Sequence, residues 1–195
     1  MRTVGISALV VLLAASVSAH AGVRATATTS TYKISGNSGQ ELIQEMDRKG
    51  PRQGYQARAI AQTTYDVKWN VGWQANGGVC SPSQAEAIVY IKYRYPQLVG
   101  TSSAGVKNRW DRFMAGVRKH EEHHGKLAVD MVSAAQKSIA RIRSAGDPSC
   151  ARAKQEASRI MGTTSAQYEA RQRQFDAVEH QPGGNVERLV GRLLP

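Results

Sequence analysis

The chain has 195 residues, of which 26 are Lys or Arg and 15 are Asp or Glu, so its formal net charge is +11. A hydrophobic content of 41% and a charged content of 21% are typical of a globular protein. This composition excludes a disordered chain, a collagen and a bundle of membrane-spanning helices. At this length, one domain around a single hydrophobic core is expected.

The first 21 residues are typical of a secretory signal peptide. Arg2 precedes an apolar run at residues 4–17, and the small residues Ala19 and Ala21 are typical of a cleavage site. An uncleaved anchor is the alternative, but the run is shorter than the roughly 20 apolar residues that span a bilayer. The sequence therefore predicts a secreted or periplasmic protein that is not an integral membrane protein.

The excess of positive charge indicates which classes of partner the protein is expected to bind. Cleavage after Ala21 removes one basic residue, Arg2, and leaves the mature chain strongly basic. Such a balance favours contact with anionic cell-envelope material or acidic proteins. Nucleic acid is not an expected partner, because the protein is exported and the sequence has no base-stacking motif.

The two cysteines, Cys80 and Cys150, predict one disulfide bond. An even number of cysteines in an oxidising compartment usually pairs, and this bridge would close a loop of about 70 residues. A metal site is the alternative, but neither cysteine belongs to a Cys-x-x-Cys pair.

The N-terminal half of the mature chain is predicted to form an antiparallel sheet with one short helix. Residues 22–31 are small and polar and predict a flexible leader. Apolar residues alternate with polar residues over 57–73 and again over 86–95, which predicts strands, and Asn76, Gly77 and Gly78 predict the turn between them. The other predicted elements are a strand at 32–35 and a helix that begins after Ser38 and stops at Gly50.

The C-terminal half is predicted to be helical. Apolar residues recur at three-to-four spacing from Trp110 to Ile142, which predicts one long helix ended by the residues 146–148. A second helical region runs from Cys150 to Glu179, with an interruption near Gly162. The tail at 181–195 is predicted to be loosely ordered until the weakly amphipathic residues 186–195. Strands followed by helices indicate a single α+β domain over residues 32–180.

Three histidines lie within five residues, His120-Glu121-Glu122-His123-His124, and form a His-Glu-x-x-His motif. Residues four apart on a helix stand on one side, so His120 and His124 can bind one Zn²⁺. Glu121 is then placed to act as the general base that deprotonates a zinc-activated water. A solvated, charge-rich helical turn is the alternative interpretation of the same residues.

A third metal ligand is expected from the C-terminal helical region. His180 is the first choice, because it is the remaining histidine of the mature chain outside the cluster. Asp130 points away from His124 on a continuous helix, and His123 faces about 100° away, as a surface residue or a residue that supports a ligand. The other candidates for the third ligand are Asp176, Glu169, Glu179 and Glu156.

Several short segments together resemble one bacterial family. They are residues 32–36, residues 49–51, Trp69, Trp73, Cys80, residues 109–113, the cluster at 120–124, and Cys150. The chain resembles the domain of unknown function 922 group, described as predicted secreted zinc-dependent proteases. The resemblance implies export and an α+β fold of a minimal zincin-like kind. His123 stands where the family usually has Gly, and Phe175, Asp176 and His180 match a late Tyr-Asp…His pattern loosely.

Two functions follow as hypotheses. The first is an exported zinc metallopeptidase with Glu121 as general base and His120, His124 and His180 as zinc ligands. The alternative is a non-catalytic, basic cell-envelope binding protein in which a zinc site is structural or vestigial.

Overall fold

The computed structural model describes residues 23–53 and 57–194 of the chain. The predicted signal peptide at 1–21 lies outside the described residues. The elements are, in chain order, β1 (Arg24–Ile34), α1 (Gly39–Lys49), β2 (Arg52–Gln53), β3 (Ala57–Arg58), β4 (Gln62–Asn76), β5 (Val79–Leu98), α2 (Ala104–Ile139), β6 (Ser144–Ala145), α3 (Ala151–His180) and α4 (Asn185–Leu193). The fold is α+β, with an N-terminal sheet followed by helices. None of the helices in the described ranges has the length and apolar character needed to cross a bilayer.

The centre of the sheet is the antiparallel pair β4 and β5. Their register runs from Gln62 opposite Arg94 to Asn76 opposite Val79, and Gly77 and Gly78 make the turn with φ values of 58° and 75°. Only glycine adopts such positive φ values without a steric cost. On β5, Ala87, Val89 and Ile91 are buried, as the period-two pattern predicts.

The predicted flexible leader at 22–31 is wrong. Residues Arg24–Ile34 form the strand β1, which pairs in parallel with β5 from Arg24 opposite Ile88 to Ile34 opposite Leu98. The first eight residues of β1 are exposed and carry no apolar alternation, but their threonines favour extended backbone. The sheet order is β1-β5-β4, so the sheet is mixed and not purely antiparallel as predicted.

The helices α1 and α2 each begin after a serine whose side chain caps the N-terminus of the helix. Ser38 Oγ accepts a hydrogen bond from the Glu41 N–H at 3.2 Å, and Ser103 Oγ accepts one from the Val106 N–H at 3.3 Å. α2 has 36 residues and ends at Ile139, three residues before the last apolar position of the predicted helix. Its buried stripe, which includes Phe113, packs against β4 and β5.

The C-terminal region is more ordered than predicted. α3 is continuous through Gly162, where a helical backbone is retained. The weakly amphipathic end of the predicted tail forms α4, whose Leu189 and Leu193 are buried against the other helices. The folded part therefore extends beyond the predicted range 32–180 at both ends, because β1 and α4 gain their stability from partners distant in sequence.

The disulfide predicted between Cys80 and Cys150 is present, with a Cα–Cα distance of 5.3 Å. It joins the start of β5 to the residue before α3. Asp147 lies beside it, and its Oδ2 accepts a hydrogen bond from the Ala153 N–H at 2.9 Å. This corner therefore fixes where α3 begins relative to the sheet.

Candidate metal centre

His120, Glu121 and His124 lie in the middle of α2, on the side that faces the protein interior. The side chain of His120 is 9% exposed and Glu121 is 6% exposed as a residue. Phe113 and Val117 are buried on the same side of α2, so this turn of the helix borders the hydrophobic core. Burial of polar rings is costly unless their nitrogens have partners, so the surrounding side chains decide what this turn can do.

The partners come from α3, which packs along α2. Gln172, Asp176 and Glu179 follow one another on α3 at helical spacing and so face the same neighbour. His180 is the last residue of that helix. The α3 side chains therefore approach the histidines of α2 from one side.

Three potential ligand atoms meet at this contact. His124 Nε2 is 2.9 Å from Asp176 Oδ1, and His120 Nε2 is 3.4 Å from the same oxygen. The two Nε2 atoms are 3.2 Å apart. Two atoms bound to one tetrahedral Zn²⁺ at about 2.0 to 2.1 Å lie roughly 3.3 Å from each other. The spacing of the three atoms thus fits a zinc ion.

The other ring nitrogens determine the tautomers. His120 Nδ1 is 3.4 Å from Glu179 Oε2, and a carboxylate can only accept, so this contact is a hydrogen bond in the tautomer whose Nδ1 carries the hydrogen. Gln172 donates its Nε2–H to the backbone oxygen of His124 at 3.1 Å, which leaves its Oε1 to accept from His124 Nδ1. In neutral rings with the hydrogen on Nδ1, both Nε2 atoms are unprotonated and can bind a cation.

Two unprotonated nitrogens and a carboxylate oxygen that face one another repel unless a cation lies between them. Without a metal, a proton takes that role. Burial alone lowers the pKa of His124, but its bonds to Asp176 and Gln172 outweigh burial, and the net pKa is raised. Burial raises the pKa of Asp176, yet its hydrogen bonds and attraction to both imidazoles bring it well below its usual range.

His180 is close to this set but is more exposed. Its ring centroid is 5.6 Å from that of His120. The candidate ligand atoms of His120, Asp176 and His180 all lie within 4.8 Å of one another. The choice of His180 as third ligand stays a prediction, and Asp176 approaches both α2 histidines.

The remaining candidates for the third ligand lie in different places. Glu179 contacts the outer nitrogen of His120, and Glu169 lines the same cleft as His120 and His124. Glu156 lies in the second turn of α3 and pairs with Arg159 at 2.6 Å.

Glu121 faces a cleft of about 640 Å³ that is also lined by His120, His124 and Asp176. Thr63 of β4 donates its hydroxyl hydrogen to Glu121, with Oγ1 2.6 Å from Oε2 and 3.1 Å from the backbone oxygen. One strand residue thereby holds both the carboxylate and the helix turn that carries it.

Three residues of this site were not predicted from the sequence: Thr63, Gln172 and Asn185. Phe175 stacks on His120 with ring centroids 4.9 Å apart. Asn185 of α4 donates to Glu179 Oε2 at 2.8 Å, so that oxygen accepts from both Asn185 and His120. Helical spacing from Asp176 could have indicated Gln172. Thr63 and Asn185 could not be identified in this way, because tertiary packing brings them to the site.

Comparisons with known proteins bear on the family of this chain. Neither the curated proteins nor the solved structures gave a match. A match was found with a family described as bacterial protein of unknown function, DUF922, and it covers residues 29–184. The matched range includes all of the residues described above at the candidate metal centre except Asn185, and it covers most of the chain. The chain therefore belongs to the DUF922 family of bacterial proteins.

Proposed function

We propose that this protein is an exported zinc-dependent metallopeptidase in which His120, His124 and Asp176 bind Zn²⁺ and Glu121 is the general base. The observation that carries the proposal is the convergence of two imidazole Nε2 atoms and one carboxylate oxygen at 2.9 to 3.4 Å. The predicted signal peptide at residues 1–21 supports export. The disulfide between Cys80 and Cys150 also supports it, because such bonds are typical of proteins in an oxidising compartment.

Bound Zn²⁺ would act as a Lewis acid that activates a water and polarises the scissile carbonyl. The carboxylate of Glu121, in the same cleft, accepts the proton of the attacking water and delivers it to the leaving amine. Thr63 holds that carboxylate in one orientation. Glu179 and Gln172 contact the Nδ1 atoms of the imidazoles and would hold the rings so that their Nε2 atoms can bind the ion, as partners of ligand histidines usually do.

The discriminating experiment replaces Glu121 without removing a ligand. Glu121→Gln should keep the zinc content of the wild type and lower the hydrolysis of a peptide library by about 10²–10⁴-fold, because the base is lost. Glu122→Gln is the matched control, since Glu122 is the next residue on α2 and is exposed. Hydrolysis that survives Glu121→Gln, or that falls equally in both variants, contradicts the proposal.

The second candidate is a basic cell-envelope binding protein with a structural zinc site. Its support is the proximity of His180, since a site with four protein ligands is typical of structural zinc. The strongly basic chain favours anionic envelope material as partner. Zinc-loaded protein that cosediments with anionic envelope material and cleaves no peptide in a Glu121-dependent manner would favour this function.

A further inference from the structure

Two sets of three potential ligands overlap at the metal centre. The first is His120, His124 and Asp176, whose donor atoms lie 2.9 to 3.4 Å apart. The second is His120, Asp176 and His180, whose donor atoms lie within 4.8 Å of one another. The sets share His120 and Asp176, so an ion bound by that pair has both His124 and His180 within reach.

We propose that His180 is an exchangeable fourth ligand. In the resting protein, His180 completes a tetrahedral site with the first set, and it leaves when water and substrate enter. This inference rests on the proposed function, because it adds to the same ion a ligand that must be displaced for catalysis. Zinc takes four ligands when at rest and needs an open position to catalyse.

The surroundings of the two outer histidines indicate which of them exchanges. The side chain of His124 is 14% exposed, it sits in the middle of α2, and its Nδ1 is held by Gln172. His180 is exposed and is the last residue of α3, after which the backbone becomes extended at Gln181. Gly183 follows with a φ of 73°. Moving His180 therefore disturbs one helix end, whereas moving His124 would disrupt the contact between α2 and α3.

His180 also lies where its imidazole can compete with substrate for the ion. It lines the same cleft as Glu121, His120 and Asp176, so a chain that enters the cleft competes with the imidazole directly. The exchange needs no covalent step, because the imidazole nitrogen withdraws and an oxygen of water or of the substrate carbonyl takes its place. The resting protein would then hold zinc firmly while its hydrolytic activity stays low.

The test measures metal binding and hydrolysis separately in His180→Ala. Competition with a chelator should show zinc affinity lowered by about tenfold or more, a loss of the size found when ligand environments are disrupted. Absorption of the Co²⁺-loaded protein should change, because one nitrogen ligand is replaced by water. Hydrolysis of the peptide library at saturating zinc should rise, because the open position no longer requires ligand exchange. His180→Gln serves as a second variant if the alanine protein is unstable.

The controls are two other histidines. His124→Ala should lose both zinc affinity and hydrolysis, and His123→Ala, whose side chain is exposed, should bind zinc as the wild type does. Unchanged zinc affinity and Co²⁺ absorption in His180→Ala would overturn the inference and leave the proposed function standing. Loss of hydrolysis at saturating zinc would also overturn it, because His180 would then be needed in the active state. A wild type that binds no zinc would contradict the proposed function itself.

Discussion

At the scale of single residues, the proposed metal binding depends on the side chains that orient the two imidazoles as well as on the imidazoles themselves. Glu179 and Gln172 each take one Nδ1–H, and this leaves both Nε2 atoms facing Asp176. Without these partners each ring could exchange tautomers or rotate. The zinc affinity of the site should therefore depend on residues that do not touch the ion.

We expect Glu179→Ala to lower zinc affinity by roughly 10–100-fold, because His120 loses the acceptor that fixes its tautomer. The measurement is competition with a chelator at neutral pH. Glu156→Ala is the control, since Glu156 is a carboxylate of α3 that pairs with Arg159 and does not line the cleft. Equal effects of the two substitutions would contradict an orienting role for Glu179 and would indicate a general loss of negative charge.

The pair of His124 and Asp176 should make the stability of the metal-free protein depend on pH. The raised pKa of His124 gives stability that is fully present below about 6.5 and is lost as pH rises through the folded value. The lowered pKa of Asp176 gives stability that is present above about 3.8 and is lost as pH falls. The destabilisation by Asp176→Asn should therefore be largest between these two pH values.

Urea unfolding of the metal-free wild type and of Asp176→Asn across pH 3 to 9 measures that difference. The imidazole titration of His124, followed by NMR, should also shift to a lower pKa in the variant. A stability difference that is constant over the whole range would show that the pair is not an ion pair in the metal-free protein.

At the scale of elements, the docking of α4 on α2 depends on one glycine. A Cβ added at Gly116 would overlap the side chain of Leu189, which is buried between the two helices. α4 also reaches the metal centre through the bond from Asn185 to Glu179. The last helix is therefore part of the support of His120.

Gly116→Ala should destabilise the protein by about 1–3 kcal/mol through overpacking, although alanine favours the helix itself. Leu189→Ala removes the overlapping atoms, so the double variant should be more stable than the sum of the two single effects predicts. Denaturant unfolding of the four proteins measures the coupling. Additive effects would contradict a direct contact between these two positions.

At the scale of the whole molecule, the disulfide joins the two halves of the fold. The bridge from Cys80 to Cys150 links the sheet to the start of α3, the helix that carries Asp176. Closing a loop of about 70 residues restricts the unfolded chain, which the entropic account values at roughly 4 kcal/mol. The bridge thus stabilises the arrangement in which α3 lies along α2.

Replacing both cysteines with serine should lower the free energy of unfolding by about 2–5 kcal/mol. Urea unfolding with and without a reductant provides the measurement and its control. The reductant should destabilise the wild type by a similar amount and leave the double variant unchanged. A wild type that does not respond to the reductant under unfolding conditions would contradict the pairing.

The sequence predicts the parts of this fold that depend on local patterns. Period-two alternation predicts β4 and β5, and three-to-four spacing predicts α2. Because residues four apart lie on one side of a helix, the sequence also predicts that His120 and His124 lie close together on α2, with Glu121 beside them. The first eight residues of β1 escape prediction because they have no apolar alternation and are ordered by pairing with β5, whereas the end of β1 lies in the predicted strand at 32–35. On α3 the sequence offers several candidate ligands but does not choose among them, because the relative rotation of two helices is set by packing.

The most direct test of the account is anomalous scattering at the zinc absorption edge, from a crystal of protein purified without added metal. We expect one strong peak bonded to His120 Nε2, His124 Nε2 and Asp176 Oδ1, with the His180 imidazole as the fourth ligand of the resting protein. A peak that is not bonded to the first three atoms, or imidazoles that point away from α3 with no peak between them, would contradict the proposed metal centre.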